Sequence, residues 1–310
     1  MDALRTELKI APEDDGLPVK TILRQKMGLS TNLLRRLKQV PDGILLDGVH
    51  VTVRATVQTG QVLSILREPD TGRESRVSAQ EGVLDIRYED ADLLIINKPA
   101  GLPVHPSPGH DGGTLANYVM AYYQTQGLNL MFHPINRLDR GTSGLLCIAK
   151  TQMAAQRLGV ALQRREIKRT YHAVVAGGPG MPASGKIDLP IGRKPGKGIA
   201  REVRADGERA VTHFRVLARR ESAILLELQL ETGRTHQIRV HTSYLGHPVL
   251  GDFMYGEEYD WLDGQALHAC RLAFTHPITG VELVFEAPEP WYFAVLLEGN
   301  PPRQPEVAEK

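Results

Sequence analysis

Three polar stretches of this chain combine residue types that can do chemistry. INRLDRGTSG sets Asp139 between Arg137 and Arg140, in a turn that feeds the apolar run GLLCIA. IKRTYHAVVAG opens a strand-like run with Lys168, Arg169 and Tyr171. LETGRTHQIRVH carries Arg234, His236, Arg239 and His241. A carboxylate near guanidinium groups is favoured in its charged form, which suits it to act as a nucleophile or a base. Plainer readings stand beside this one. A turn aspartate often bonds its own backbone, a strand tyrosine packs in the core, and Arg239 decorates a sheet surface. For Arg239 the plain reading weakens, because in a strand Ile238 and Val240 face the opposite side. Alternation then places Arg239 in one row with Gln237 and His241.

Other chemistries lack their motifs. There is no G-x-x-x-x-G-K-[ST] phosphate loop, no G-x-G-x-x-G fingerprint and no G-x-S-x-G elbow. No paired cysteines offer a zinc site. His105 and His110 flank a PSPG loop without a third ligand nearby, and an exposed loop is the simpler reading. His236 and His241, in what reads as a strand, point to opposite faces and do not share an ion. No metal and no cofactor are expected.

The elements that must position these residues fall into two units. Over roughly residues 11 to 70, LPVKTILRQKM and LSTNLLRRLKQV place apolar residues at helical spacing, with Ser30 or Thr31 available as an N-cap. GILLDGVHVTVRATVQTGQVLSILRE follows as short strands separated by Asp-Gly and Thr-Gly turns. DTGRESRVSA, residues 71–80, reads as a linker. The second unit begins near Leu84. LDIRYEDADLLIINKPAGLPVHP gives a strand, an acidic turn, an apolar strand and a Pro/Gly-rich loop. TLANYVMAYYQTQG and TQMAAQRLGVALQRRE are helical, and TSGLLCIAK is an apolar strand. TYHAVVAG, VTHFRVLARR, AILLELQL, HQIRVHTSYLG and VELVFEAP all read as strands. Strands outnumber helices without regular alternation, so the fold class is α+β around a mainly antiparallel mixed sheet. The expected division is a small N-terminal domain at 1–75, a large domain at 76–300 and a fraying Pro/Glu-rich tail at 301–310.

Bulk composition narrows the classes further. With 310 residues, 42% hydrophobic and 24% charged, the chain can bury a sizeable core. No stretch approaches 18 consecutive apolar residues, so no membrane span is expected. MDALRTELKIAPEDDG has no apolar h-region and reads as neither secretory signal nor transit peptide. Cys147 and Cys270 lie in apolar runs, as buried free thiols of a reducing compartment do. The expected location is the cytoplasm. Net charge is only +1, yet Lys20, Arg24, Lys26, Arg35, Arg36 and Lys38 follow one another with no acid between them. Such a run is usually a solvated helix face, but like charges at helical spacing repel, which makes it less comfortable as mere surface and leaves room for a nucleic-acid contact.

At these residues the sequence resembles a known family. INRLDRGTSGLLCIAK looks like the signature of the RluA-type pseudouridine synthases. YEDADLLIINKPAGLPVHP, KRTYHAVVAG, LETGRTHQIRVHTSYLGHPVLGD and LHACRLAFTHP agree in order and spacing, so the resemblance spans about residues 85–290. The basic N-terminal unit more weakly resembles the S4 RNA-binding fold. Two positions depart from the family pattern: Asn136 stands where a histidine is usual, and Gly141 where an acid is common.

The resemblance implies an RNA uridine isomerase with Asp139 as catalytic carboxylate, Arg239 as its partner and Tyr171 packed on the target base. It gives Arg137 the space left by the flipped base. Lys168, Arg169 and Arg234, with Lys20, Arg24, Arg35, Arg36 and Lys38, are expected to hold RNA. The S4-like segment favours ribosomal over transfer RNA, and the enzyme is expected to act as a monomer. Pseudouridine formation breaks the N1–C1′ bond, turns the uracil over and rejoins it through C5, with no redox cofactor, nucleotide or metal required. A glycosidase uses two carboxylates. Uracil is a tolerable leaving group that must be retained, so one carboxylate suffices, attacking C1′ or removing the 2′ hydrogen. Two rival classes remain: a catalytically silent RNA-binding protein, and a nucleoside hydrolase that would release uracil.

Overall fold

The computed structural model describes residues 5–67 and 77–299, apart from 108, 110 and 197. Most of the expected linker, His110 and the expected fraying tail therefore lie outside the described residues. The N-terminal unit contains β1 (Arg5–Lys9), α1 (Val19–Gln25), α2 (Thr31–Leu37), β2 (Ile44–Leu46), β3 (Val49–His50) and β4 (Val62–Leu66). Its strands form an antiparallel sheet in the order β1-β4-β2-β3. Ser30 caps α2 by accepting from the Leu33 amide. Asp47 and Gly48 turn β2 into β3 with both φ angles positive, as a tight hairpin of this sequence requires. Strand β1 was not expected. Its RTELK has little apolar alternation, and its place is set by pairing with β4 rather than by its own pattern.

The large body runs β5 (Ile86–Glu89), β6 (Leu93–Lys98), α3 (Leu115–Thr125), β7 (His133–Pro134), β8 (Ser143–Ala149) and α4 (Gln152–Gln163). It continues with β9 (Lys168–Ala176), β10 (Ser184–Asp188), β11 (Ile191–Arg193), β12 (Arg201–Val203), β13 (Val211–Arg219) and β14 (Ala223–Leu230). It closes with α5 (Gln237–Tyr244), β15 (Leu267–Thr275), β16 (Glu282–Glu286) and α6 (Tyr292–Glu298). One sheet dominates, in the order β10-β13-β14-β9-β15-β8-β6-β5, with β16 added beside β15 and β7 beside β8. Among the described pairs in it only β15 with β8 is parallel. The α+β class with a mainly antiparallel mixed sheet is therefore correct. Strand β8 is buried along its whole length, which is why GLLCIA reads as an unbroken apolar run. Cys147 and Cys270 are buried free thiols.

One expected strand is a helix. HQIRVHTSY holds β-branched Ile, Val and Thr, yet it folds as α5 behind His236, which sits in the left-handed region at φ 58°. The alternating row of Gln237, Arg239 and His241 is thereby corrected. One helical turn separates Gln237 from His241, and both bond Thr212 Oγ1, while Arg239 points elsewhere. His236 and His241 still do not converge, because His241 is held by Thr212 and the Leu189 carbonyl and His236 by Tyr255.

The two units are clamped together through α4. Met153 belongs to the N-terminal core, where Thr6 contacts its sulfur at 3.8 Å. Gln156 donates to the Gly28 carbonyl and accepts from the Ser30 amide. Arg157 donates to the Met27 and Pro277 carbonyls at 2.6 and 2.7 Å. Arg67 pairs with buried Asp92. The large body is tied down from its start: Asn117 on α3 donates to the Ser78 carbonyl and its own carbonyl accepts from the Gln80 amide.

Candidate active site

A cavity of about 840 Å³ opens between the β7–β8 connection, the end of α4, β9 and the start of α5. Asp139, Tyr171 and Arg239 line it together, with Arg137, Arg169 and Arg234. Asp139 sits in a tight turn closed by the Thr142 amide on its own carbonyl. Three further contacts hold that turn. Lys98, fully buried at the end of β6, donates to the carbonyls of Pro99, Leu102 and Arg140 at 2.8, 2.8 and 3.0 Å. Gln265 donates to Thr142 Oγ1 at 2.7 Å. Gly141 lies against Gly264, so closely that a Cβ on Gly141 would stand 2.3 Å from Gln265 Oε1 and 2.9 Å from Gly264 Cα. This explains one departure from the family pattern, since an acid at 141 has no room here. At the other, the Asn136 amide accepts from the Cys147 amide and donates to the Leu145 carbonyl, bridging the chain beside β8.

Arg239 is the hub of the site. Its Nη1 donates to Asp139 Oδ2 at 2.9 Å, while Nε and Nη2 grip both oxygens of Asp252 at 2.7 and 2.8 Å. The Arg239 side chain is 4% exposed and Asp252 fully buried, whereas Asp139 keeps 28% of its side-chain surface open to the cavity. Burial opposes the Arg239 charge, but Asp252 and then Asp139 outweigh it and hold the guanidinium above its ordinary range. Two rings bracket the group: Tyr255 lies 5.1 Å and Phe253 6.0 Å from the guanidinium carbon. Asp252 was missed from sequence. Its signal is the end of the HPVLGD stretch, where a buried acid must have a cation.

Tyr171 is 4% exposed, paired with Leu228 across β9 and β14. Burial pushes its phenol up, with nearby Arg169 opposing, so the hydroxyl stays protonated at neutral pH. Arg169 keeps its Nε buried without a protein acceptor. Arg137 is exposed at the mouth, and burial, with the Arg137 charge added, lowers the His105 imidazole below its ordinary range. Lys98 was also missed. Burial pulls it down to about 7, against the pull of Asp139, and its three carbonyls use all three protons of the ammonium.

The remaining expected residues are distributed differently. Arg234 lines the cavity but is engaged with Glu208 and the Arg209 carbonyl. Lys168 does not line it and donates to the Arg165 carbonyl. Lys20, Arg24, Arg35, Arg36 and Lys38 lie on α1, α2 and their flanks, away from the cavity lining. Lys20, Arg24, Arg35 and Lys38 are exposed. Lys26 of the same run is compensated by Glu13 and Asp14, so the run is less uniformly free than its sequence implies.

A second carboxylate, Glu231, reaches the cavity rim. It is already taken by His213, Arg165 and Arg209, and the bond from His213 leads in holding it below the usual range. It therefore carries no proton to give a leaving group near neutral pH. Asp90, Asp92 and His276 bring ligand atoms within 4.8 Å of one another, but Tyr88, Arg67, Thr151 and backbone amides occupy the carboxylates. None of the three lines the cavity. Among the described residues no helix is long and apolar enough to cross a membrane.

The chain is similar to proteins whose chemistry fits this geometry. Residues 92–244 match the family model for RNA pseudouridylate synthase, a span that contains Asp139, Tyr171 and Arg239. An uncharacterized RNA pseudouridine synthase of Bacillus subtilis, YjbO, is 41% identical over 89% of this chain and 96% of its own length. Ribosomal large subunit pseudouridine synthase D of Escherichia coli is 42% identical over 73% of each chain. The solved structure of human RNA pseudouridylate synthase domain containing 1 superposes with a TM-score of 0.57 at 28% identity, covering 68% of this chain and 87% of that one. The fold, the cavity and these likenesses converge: this chain is an enzyme of the RNA pseudouridylate synthase family.

Proposed function

We propose that this enzyme converts a uridine of large-subunit ribosomal RNA to pseudouridine, in the cytoplasm and as a monomer, with Asp139 as the catalytic carboxylate. The observation that carries the reading is the Asp139–Arg239–Asp252 row, in which one acid is spent on holding the arginine and the other faces the cavity. The ribosomal target rests on relatives such as the Escherichia coli and Vibrio vulnificus ribosomal large subunit pseudouridine synthases D, the latter 44% identical over 82% of each chain.

The chemistry follows from the placement. Asp139 acts at the ribose, either attacking C1′ or taking the 2′ hydrogen, and the N1–C1′ bond breaks. The uracil stays in the cavity over Tyr171, turns, and bonds C1′ through C5 as the Asp139–C1′ bond breaks or, on the second route, as Asp139 returns the proton to C2′, after which the C5 proton leaves. Glu231 is already held by Arg165, Arg209 and His213, so among the described lining residues there is no second free acid to protonate a leaving base for release. That supports isomerisation over hydrolysis. Arg137 at the mouth fills the gap left by the flipped nucleotide, and Arg169 and Arg234 hold backbone phosphate. The N-terminal unit serves as an S4-like RNA-binding domain through Lys20, Arg24, Arg35, Arg36 and Lys38, with Lys168 as a further phosphate contact.

Mapping pseudouridine across total RNA from cells with and without the gene tests this. Loss of a large-subunit ribosomal RNA site on deletion, restored by the normal gene but not by Asp139→Asn, is the expected result. Loss confined to transfer RNA refutes the target. Free uracil released from RNA by the pure protein refutes the isomerase.

A further inference from the structure

A second cavity, of about 530 Å³, lies behind the wall of the first. The wall is thin and aromatic. Tyr255 lines the second cavity, and its hydroxyl meets His236 Nδ1, at 2.8 Å, which lines the first. Arg239 reaches from the first cavity to the rings of Tyr255 and Phe253, both of which face the second. The composition of this second space is unusual for a plain surface fold. Phe253 is 61% exposed and Tyr244 60% exposed, two large rings left open on one depression. Lys194 and Arg201 stand on the same depression, contributed by the β11–β12 hairpin. Neither has an acidic partner among the described residues, and Arg201 is oriented by the Ile199 and Ala200 carbonyls. The one lining acid, Glu202, is 3.8 Å from Arg204.

Open rings beside unneutralised cations are what a single-stranded nucleotide needs: a face for the base and a charge for its phosphate. A protein or lipid partner would need an apolar surface continuous beyond the two rings, whereas here cations border them. We infer that this second cavity binds one unpaired nucleotide of the substrate RNA, next in the chain to the uridine in the catalytic cavity, with its base stacked on Phe253 and Tyr244 and its phosphate on Lys194 and Arg201. The inference rests on the reading of the catalytic cavity as a uridine site. It goes beyond that reading by assigning a second base-binding site, which selects the sequence context beside the target.

Two measurements on the full-length enzyme separate this inference from the reading beneath it. Hexanucleotides of uridine carrying one 2-aminopurine, placed at each position in turn, report stacking by fluorescence quenching. Turnover is followed separately on unmodified large-subunit ribosomal RNA transcribed in vitro. The expected result is strong quenching at one position, with Tyr244→Ala and Phe253→Ala each weakening that hexanucleotide's binding by roughly 5- to 150-fold, the range of a lost base stack. Phe253→Trp restores it, which a merely structural role for the ring would not do. Wild-type quenching that both alanine variants retain overturns the inference even if ribosomal RNA is converted normally. No conversion of ribosomal RNA, with variant-sensitive quenching, overturns the proposed target and leaves the second site standing. Absence of quenching at every position overturns the second site.

Discussion

Two carboxylates share Arg239, and their removal should have opposite consequences. Asp252 is fully buried and meets Arg239 through two charge-assisted bonds, while also accepting from the Met254 and Tyr255 amides at 3.0 and 3.2 Å. In Asp252→Asn the new amide turns a donor toward a guanidinium that is itself only a donor. One bond is lost outright, and a buried cation retains only the more open Asp139 as its anion. Breaking a buried pair in this way costs about 3–5 kcal/mol. With a urea slope of about 3 kcal/mol/M, the unfolding midpoint falls by about 1–1.7 M. Asp139→Asn removes the exposed member instead and leaves Arg239 gripped by Asp252. Its cost is about that of a partly exposed ion pair, roughly 0–1 kcal/mol. Turnover of the Asp139 variant is lost while RNA affinity is kept. Urea unfolding of both variants, with release of tritium from uridine labelled at C5, checks the pair of outcomes. Equal destabilisation by the two substitutions refutes the division of labour, and a tenth of normal turnover in Asp139→Asn refutes its catalytic role.

Four further outcomes are expected. Tyr171→Phe keeps its stack on the base and, because the buried hydroxyl stays protonated, binds RNA normally and keeps most of its turnover, while Tyr171→Leu loses about 1–3 kcal/mol of binding; a stall of the Phe variant after N1–C1′ cleavage would give the hydroxyl a part in removing the C5 proton. Arg137→Ala lowers activity on a stem-loop more than on an unstructured strand, by an energy approaching the few kcal/mol of unstacking, and equal losses would leave it a phosphate anchor. Alanine at Lys20, Arg24, Arg35 and Lys38 together flattens the dependence of log affinity on log salt by about 3, at about 0.7–0.9 per lost phosphate contact; an unchanged slope removes the N-terminal unit from RNA binding. Lys98 titrates at about 7 in the fold but near 10.4 when unfolded. The unfolded chain therefore binds the extra proton between these values, and stability rises with pH across that window. Measured against Lys98→Met, the wild type gains between about pH 7 and 10, and a flat difference would mean the ammonium keeps its proton throughout.

Much of this enzyme was legible because its signals are local. The apolar run of β8, the Ser30 cap and the Asp-Gly hairpin each declare themselves within a few residues. Asp139, Tyr171 and Arg239 were brought together by resemblance, and all three line one cavity. What escaped was set by distant partners. HQIRVH carries strand-type residues, but α5 forms because Gln237 and His241 must both reach Thr212 while Arg239 reaches two acids. Asp252 and Lys98 look ordinary in sequence, and only burial beside a charge or three carbonyls makes them matter. Charge runs mislead in the same way, since Lys26 is neutralised by acids ahead of its helix.

Helix α4 touches the N-terminal unit through Met153, Gln156 and Arg157, and its far end, Leu162 and Gln163, forms part of the cavity rim. From Gln156 to Gln163 a helix rises by about 10 Å, so a single stiff rod sets the spacing between the basic helices and Asp139. A tethered pair of sites on a loose cord would accept many spans, each at a modest effective concentration. A caliper accepts one. If the N-terminal unit grips RNA as proposed, it would present to Asp139 only the uridine at that fixed reach, and one inserted base pair between grip and target would put the right nucleotide out of register. Choice of substrate would then be a measurement of length as much as a reading of bases.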